Sequence, residues 1–395
     1  MNTNLKKILI ILIVILIVAL VIILVYNNFI KEPSDGEGGP GGGQFPEGEE
    51  GNGQQPIGEN GENGTAIPNP AVKIKAISTE KVLAPALSSD SAKVIYYSQY
   101  NGNLWQSGFD GSSLTRVSST NLNNLIDIIW SPDKTKVISI YQDEENNISK
   151  QIYNFSNGQL SGLSSYIQEV TWSPNSEKIV YHYKNTTSGE NNISTANADG
   201  SNWNNIFQLR MSDVLLDWIG SEISFYEKPS GLTQSSLFLL NPLNGSLNKV
   251  ISDTEGFSIK WSPQADKVLY SKTSASGKNI GLYVALKNGA GETSLNISGL
   301  IEKCVWSKDN RTLFCAIPKN IDEAQTLPDD FYKGTFISDD EFWKINLETG
   351  EKTVLLEPWE KGNEIYDAVD LFLSPLEDYL FFVNKINGLL YSIEL

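Results

Sequence analysis

One short phrase recurs along most of the chain after residue 70. Its clearest copies are Trp130-Ser131-Pro132-Asp133, Trp172-Ser173-Pro174-Asn175, Trp261-Ser262-Pro263-Gln264 and Trp306-Ser307-Lys308-Asp309. Weaker copies are Leu87-Ser88-Ser89-Asp90, Trp218-Ile219-Gly220 and Leu373-Ser374-Pro375-Leu376. From anchor to anchor the steps are 43, 42, 46, 43 and 45 residues, and the last is 67. A unit of this length cannot cover its own apolar surface, so it must stack on neighbours of the same kind.

Within each unit an apolar stretch begins seven residues after the anchor, at Val94, Val137, Ile179, Val268, Leu313 and Leu380, or five after Trp218, at Ile223. A third stretch follows, as in Leu104-Trp105 and Leu282-Tyr283-Val284, and then a turn such as Asp110-Gly111 or Asn157-Gly158 that supplies positive φ for a tight hairpin. Four short strands in each of seven units predict an all-β fold, a seven-bladed β-propeller of four-stranded antiparallel blades over residues 71–395. Trp130, Trp172, Trp218, Trp261 and Trp306 then have a structural role, ending the innermost strands and filling the space between blades. The seventh unit stops after three strands, and the alternating segment 71–77 supplies the fourth, closing the last blade.

Residues 8–26 form an unbroken apolar run, about 28 Å as a helix, which matches a bilayer core. Lys6 and Lys7 precede it and no basic cluster follows, so residues 1–7 are expected in the cytoplasm and the propeller outside, in a single-pass membrane protein. A cleaved signal peptide fits less well, because the run is long and ends without small residues. Residues 27–70, rich in Gly, Pro and Glu, are expected to be a disordered linker.

The formal charge of −17 argues against a nucleic-acid partner, whose phosphates recruit Lys and Arg. His182 is the only histidine, so a Ser-His-Asp or Cys-His arrangement would have to be built on it and the usual His/Cys zinc sites lack enough ligands, while carboxylate pairs remain open. No metal and no cofactor is expected, and the acidic run Asp143-Glu144-Glu145 lacks the spacing of a calcium loop. Cys304 and Cys315 fall opposite one another if Trp306 pairs with Leu313. Two readings stand for them: a disulfide in an oxidising exterior, or two small buried thiols.

The phrase Trp-Ser-Pro-Asp followed by a strand, Leu-Tyr or Leu-Trp, and an Asp-Gly turn resembles the WD40-like repeats of TolB-type β-propellers, over Ala71 to Leu395. The family's glycine after Ser-Pro-Asp is replaced by Lys134, Ser176 and Ala265. The resemblance implies a binding platform, a substrate-gating domain or a lectin-like module. With no hydrolase domain after the ring, the expectation is a protein-interaction or scaffold module of the cell envelope, binding a protein or envelope macromolecule and not an enzyme. A glycan or small-ligand sensor is the alternative, and a carboxylate-dependent enzyme a third reading. The long sixth unit, with extra chain over about 318–340, suggests the binding surface: Asp329, Asp330, Phe331, Tyr332 and Phe336, joined by Trp359 and Tyr366 on the following loop.

Overall fold

The computed structural model describes residues 74–356, 362 and 364–395; the expected anchor and linker and Trp359 lie outside them. Among the described residues no helix is long and apolar enough to cross a membrane. They form seven four-stranded antiparallel sheets arranged as a propeller. Blades 1 to 6 are consecutive stretches of chain, beginning at Val82, Leu125, Ile167, Val214, Ser258 and Cys304. Blade 7 takes three strands from the C-terminus and its fourth, Ile74–Ala76, from the N-terminal side. Its register is Ile74↔Ile393, Lys75↔Ser392 and Ala76↔Tyr391, the closure expected from the missing strand.

The repeat phrase sets the register of every blade. Leu87↔Val94, Trp130↔Val137, Trp172↔Ile179, Trp218↔Ile223, Trp261↔Val268, Trp306↔Leu313 and Leu373↔Leu380 are all cross-strand partners. Four of the tryptophans also tie their blade to the one before it. Trp130 Nε1 donates to Ala84 O at 2.8 Å, Trp172 Nε1 to Ile129 O at 3.0 Å, Trp261 Nε1 to Ser224 Oγ at 2.9 Å and Trp306 Nε1 to Lys260 O at 3.1 Å. Apolar layers fill the gaps between blades: Ile138 and Ile152 of blade 2 pack on Val170 and Trp172 of blade 3, and Val82 and Tyr96 of blade 1 on Phe381 and Leu390 of blade 7.

The glycine missing from the phrase is not needed for its turn. Lys134, Ser176 and Ala265 hold φ of 58°, 60° and 54°, the left-handed conformation glycine would adopt. The strain of about 1 kcal/mol at each is offset by a backbone bond to the phrase serine, as in Lys134 N to Ser131 O at 2.9 Å. Cys304 pairs with Cys315 across the first hairpin of blade 6, and the two form a disulfide inside the core, which decides between the two readings.

Candidate functional site

In a propeller the innermost strands surround a central channel, and here those of blades 2 to 7 bring charge to it. Asp127 lies on Leu125–Trp130, Glu169 on Ile167–Trp172, Asp217 on Val214–Ile219, Lys260 on Ser258–Trp261 and Asp370 on Ala368–Leu373. Glu302 stands in the 3-10 turn just before Cys304–Trp306. In blades 2, 3 and 7 the pairing slips by a bulge beside the charged residue, between Leu125 and Asp127, Ile167 and Glu169, and Val369 and Phe372. Bulges re-aim side chains, and here each lies beside a charge.

The charges sense one another across the ring. Lys260 of blade 5 feels Glu302 of blade 6, Asp370 of blade 7 and Asp217 of blade 4, and Asp370 also feels Asp127 of blade 2. Residues so far apart around the ring share an environment only through the central space. Solvent reaches them all, since none is fully buried, yet burial is the first cause of every shift, as in a narrow channel. Glu169 is pushed up to about 7, chiefly by burial, with Lys228 and Lys150 opposing and Asp217 and Asp127 adding to the rise. Burial pushes Asp217 up to about 6, against the pull of Lys260. Asp127, Glu302 and Asp370 are raised by the same cause, and Lys260 is lowered by it. The Lys260 ammonium donates to Cys304 O at 2.6 Å, so part of its hydrogen-bonding capacity goes to backbone.

The inserted segment of blade 6, between Thr312–Pro318 and Asp340–Asn346, crosses to neighbouring blades and touches Glu302. Asp329, in a single helical turn Asp329–Tyr332 (α1), accepts from Ser230 Oγ at 2.8 Å and Gly231 N at 2.7 Å in blade 4. Lys278 Nζ of blade 5 donates to Gln325 O at 2.6 Å, and Lys385 Nζ of blade 7 to Phe336 O at 3.0 Å. The segment thus bridges from blade 4 to blade 7. Tyr332 reaches inward from it: its hydroxyl meets Ser258 Oγ at 3.1 Å and hydrogen-bonds the Glu302 carboxylate, whose Oε2 is buried without a hydrogen-bond partner. Burial first, then the Glu302 charge, hold the Tyr332 hydroxyl far above its ordinary pKa.

The seat for this insertion is made by glycine. A Cβ on Gly231 would lie 2.3 Å from Leu327 O and 2.3 Å from Gly277 Cα, so only the bare backbone permits the approach. Gly231→Val should lift the insertion, lower stability by about 1–3 kcal/mol and open residues 319–339 to limited proteolysis. Cleavage at the wild-type rate would show that the seat does not depend on this contact.

The expected rim residues meet different fates. Phe336 and Tyr366 are only 2% exposed, so they cannot contact a partner. Phe336 packs with Leu327 of the insertion and with Ile280 and Leu300 outside it, while Tyr366 packs with Phe342 and Phe382. Asp329 serves the docking just described, and Asp330 Oδ2 accepts Thr326 N at 2.7 Å to close the turn. Phe331 is half-buried beneath the Lys385 ammonium, 4.6 Å from its ring centre, and Tyr332 is 49% exposed. The channel charges were missed because each resembles a solvated position in an alternating strand. Their signal is positional: Asp127, Glu169 and Asp370 all stand three residues before an anchor, and Asp217 and Lys260 one before.

No family model matches the chain, and no curated protein sequence matches it. Solved structures do. Oligogalacturonate lyase from Vibrio parahaemolyticus is similar over 83% of this chain and 94% of its own, with a TM-score of 0.57 and 11% identity. A second oligogalacturonate lyase, in complex with manganese, gives 0.56 and 12% over 82% and 93%. TolB from Acinetobacter baumannii is also similar, at 0.44 and 12% over 71% of this chain and 64% of that one. What this chain shares with them is the propeller fold.

The expectation that the chain is not an enzyme is corrected by this comparison. The match spans nearly the whole lyase, so a propeller needs no hydrolase domain beside it to carry an activity. A manganese site like that of the second lyase's complex does not follow, because among the described residues no three His, Cys, Asp or Glu side chains gather to hold a metal ion. His182 is buried, its Nε2 held 2.6 Å from Asn191 Oδ1.

Proposed function

We propose that this chain is a binding module of the cell envelope, anchored by residues 8–26 with its propeller outside the cytoplasm, and that its lidded face engages a protein partner by taking a basic side chain toward the channel. The supporting observation is the charge imbalance. Five carboxylates outnumber the lysines that act on them, and burial pushes Glu169 and Asp217 up to about 7 and about 6 despite Lys228 and Lys150 at the first and Lys260 at the second. A lysine or arginine from a partner would relieve that cost and be held in a site screened from salt. Phe331 and Tyr332 lie on the lid such a partner would meet first. The polyanion named for the lyases is a poor guest for a channel of this sign.

Binding of a cation requires the ionised carboxylates. Because their folded pKa values are raised, protons fill the site as pH falls through about 7 and then about 6, and affinity falls with them. A partner captured by cross-linking from the protein's own membranes should therefore bind at least about tenfold more weakly to Asp217→Asn/Asp370→Asn, and more weakly near pH 6 than near pH 8. Capture indifferent to both changes would refute the channel as the point of contact. A second reading is favoured by Glu169 alone: a carboxyl that titrates near neutrality can give and take protons, so acid–base catalysis on a cationic or neutral substrate suits it. That reading expects Glu169→Gln to retain binding and lose turnover.

A further inference from the structure

Away from the channel, between the outer parts of blades 2 and 3, a cavity of about 410 Å³ opens to solvent, within the range of roughly 300–1,000 Å³ usual for small-ligand sites. It exists because Gly162 ends the outermost strand of blade 2, Leu160–Gly162, with nothing within 4 Å of where its Cβ would be. Trp203 lines it and is 65% exposed, an unusual state for so large an apolar surface. Tyr181 and Tyr183 form further wall, and Tyr183 is braced edge-on by Tyr166 at 5.7 Å between ring centres.

The polar groups in it are arranged in pairs. Ser194 Oγ donates to Asn205 Oδ1 at 2.7 Å, which leaves the amide nitrogen as a donor. Glu190 accepts from Ser188 Oγ at 2.7 Å through Oε2, leaving Oε1 as an acceptor. A flat aromatic beside a planar amide and a carboxylate suits a guest with one apolar face and adjacent hydroxyls around its edge. A pyranose ring has that shape: its axial C–H groups stack on an indole, and neighbouring hydroxyls give and accept at once. A wholly apolar guest would strand the amide and the carboxylate without partners. An anionic sugar would meet Glu190 and the field of a chain carrying −17.

We propose that this cavity is a binding site for a neutral saccharide of one or two pyranose rings, stacked on Trp203. It shares no residue with the channel, so its failure would leave the function proposed above untouched. The test uses the full chain in a detergent without a sugar headgroup, titrated with maltose, cellobiose, lactose and diacetylchitobiose, with digalacturonate as the charged control. Tryptophan emission and calorimetry report binding. Saturable binding of at least one neutral disaccharide is expected, with digalacturonate about tenfold weaker or worse. Trp203→Ala should weaken binding about tenfold, and Gly162→Phe, which fills the cavity, should abolish it. Both should melt like the wild type, because one site is exposed and the other open. No saturable signal from any of the four neutral sugars overturns the proposal, as does binding that either variant leaves unchanged or that digalacturonate matches.

Discussion

Replacing Lys303 with methionine should lower the free energy of unfolding by about 3–5 kcal/mol, the usual consequence of removing one member of a fully buried ionic group. Lys303 and its two partners, Asp340 and Asp367, are all 0% exposed. The ammonium donates to Asp340 Oδ2 at 2.8 Å, to Asp367 Oδ1 at 2.5 Å and to Ala368 O at 3.1 Å. Asp340 begins the strand after the insertion, and Asp367 stands at the entry to blade 7, so one cation ties three parts of the chain together. Burial already raises the Asp340 carboxyl, and Lys303 is the chief influence holding it down. In the variant that restraint is gone, and the folded state takes up protons that the unfolded chain, with ordinary carboxyls, does not. Its stability therefore rises as pH falls, and the loss should be smaller near pH 5 than near pH 8. Adding Asp340→Asn and Asp367→Asn should recover most of the loss. Chemical denaturation followed by tryptophan emission measures this, and a midpoint unchanged by Lys303→Met would defeat it.

Deleting residues 74–78 should cost about 5 kcal/mol, while deleting 31–70 should leave the melting temperature of the full chain unchanged. The short strand contributes more than its length suggests. Ile77 is buried between blades 7 and 1 with Val82, Tyr96 and Leu390, worth about 2–3 kcal/mol. Ile77 N donates to Leu390 O at 2.8 Å, Leu390 N to Ser78 Oγ at 2.9 Å and Lys75 Nζ to Asp110 O at 2.8 Å, each adding about 1 kcal/mol or less. Loss of the strand also bares the edge of Leu390–Glu394, which invites aggregation. Equal melting of the two deletions, with no aggregation of the first, would mean that the ring holds without this closure.

The propeller and its register were legible in the sequence because they rest on short-range relations. An anchor and the strand that begins five or seven residues later are joined by one hairpin, so the spacing alone specified the pairs from Leu87↔Val94 to Leu373↔Leu380. The same hairpin placed Cys304 opposite Cys315, and strand counting gave Ile74–Ala76 to blade 7. The candidate site had no such local origin. Asp127, Glu169, Asp217, Lys260, Glu302 and Asp370 lie on different repeats and meet only because the ring closes; in sequence Glu302 stands beside Lys303 just before a strand, and each of the others is a lone charge in an amphipathic strand. The insertion misled for the opposite reason: its aromatic residues were distinctive in sequence, but whether a loop displays Phe336 or buries it depends on neighbours such as Ile280 and Leu300 from another part of the chain. Sequence by itself therefore determined the repeat, the strand register and the closure. Tertiary structure alone decided which charges share a channel and which side chains the insertion turns toward it, because both depend on distances between blades that no local pattern encodes.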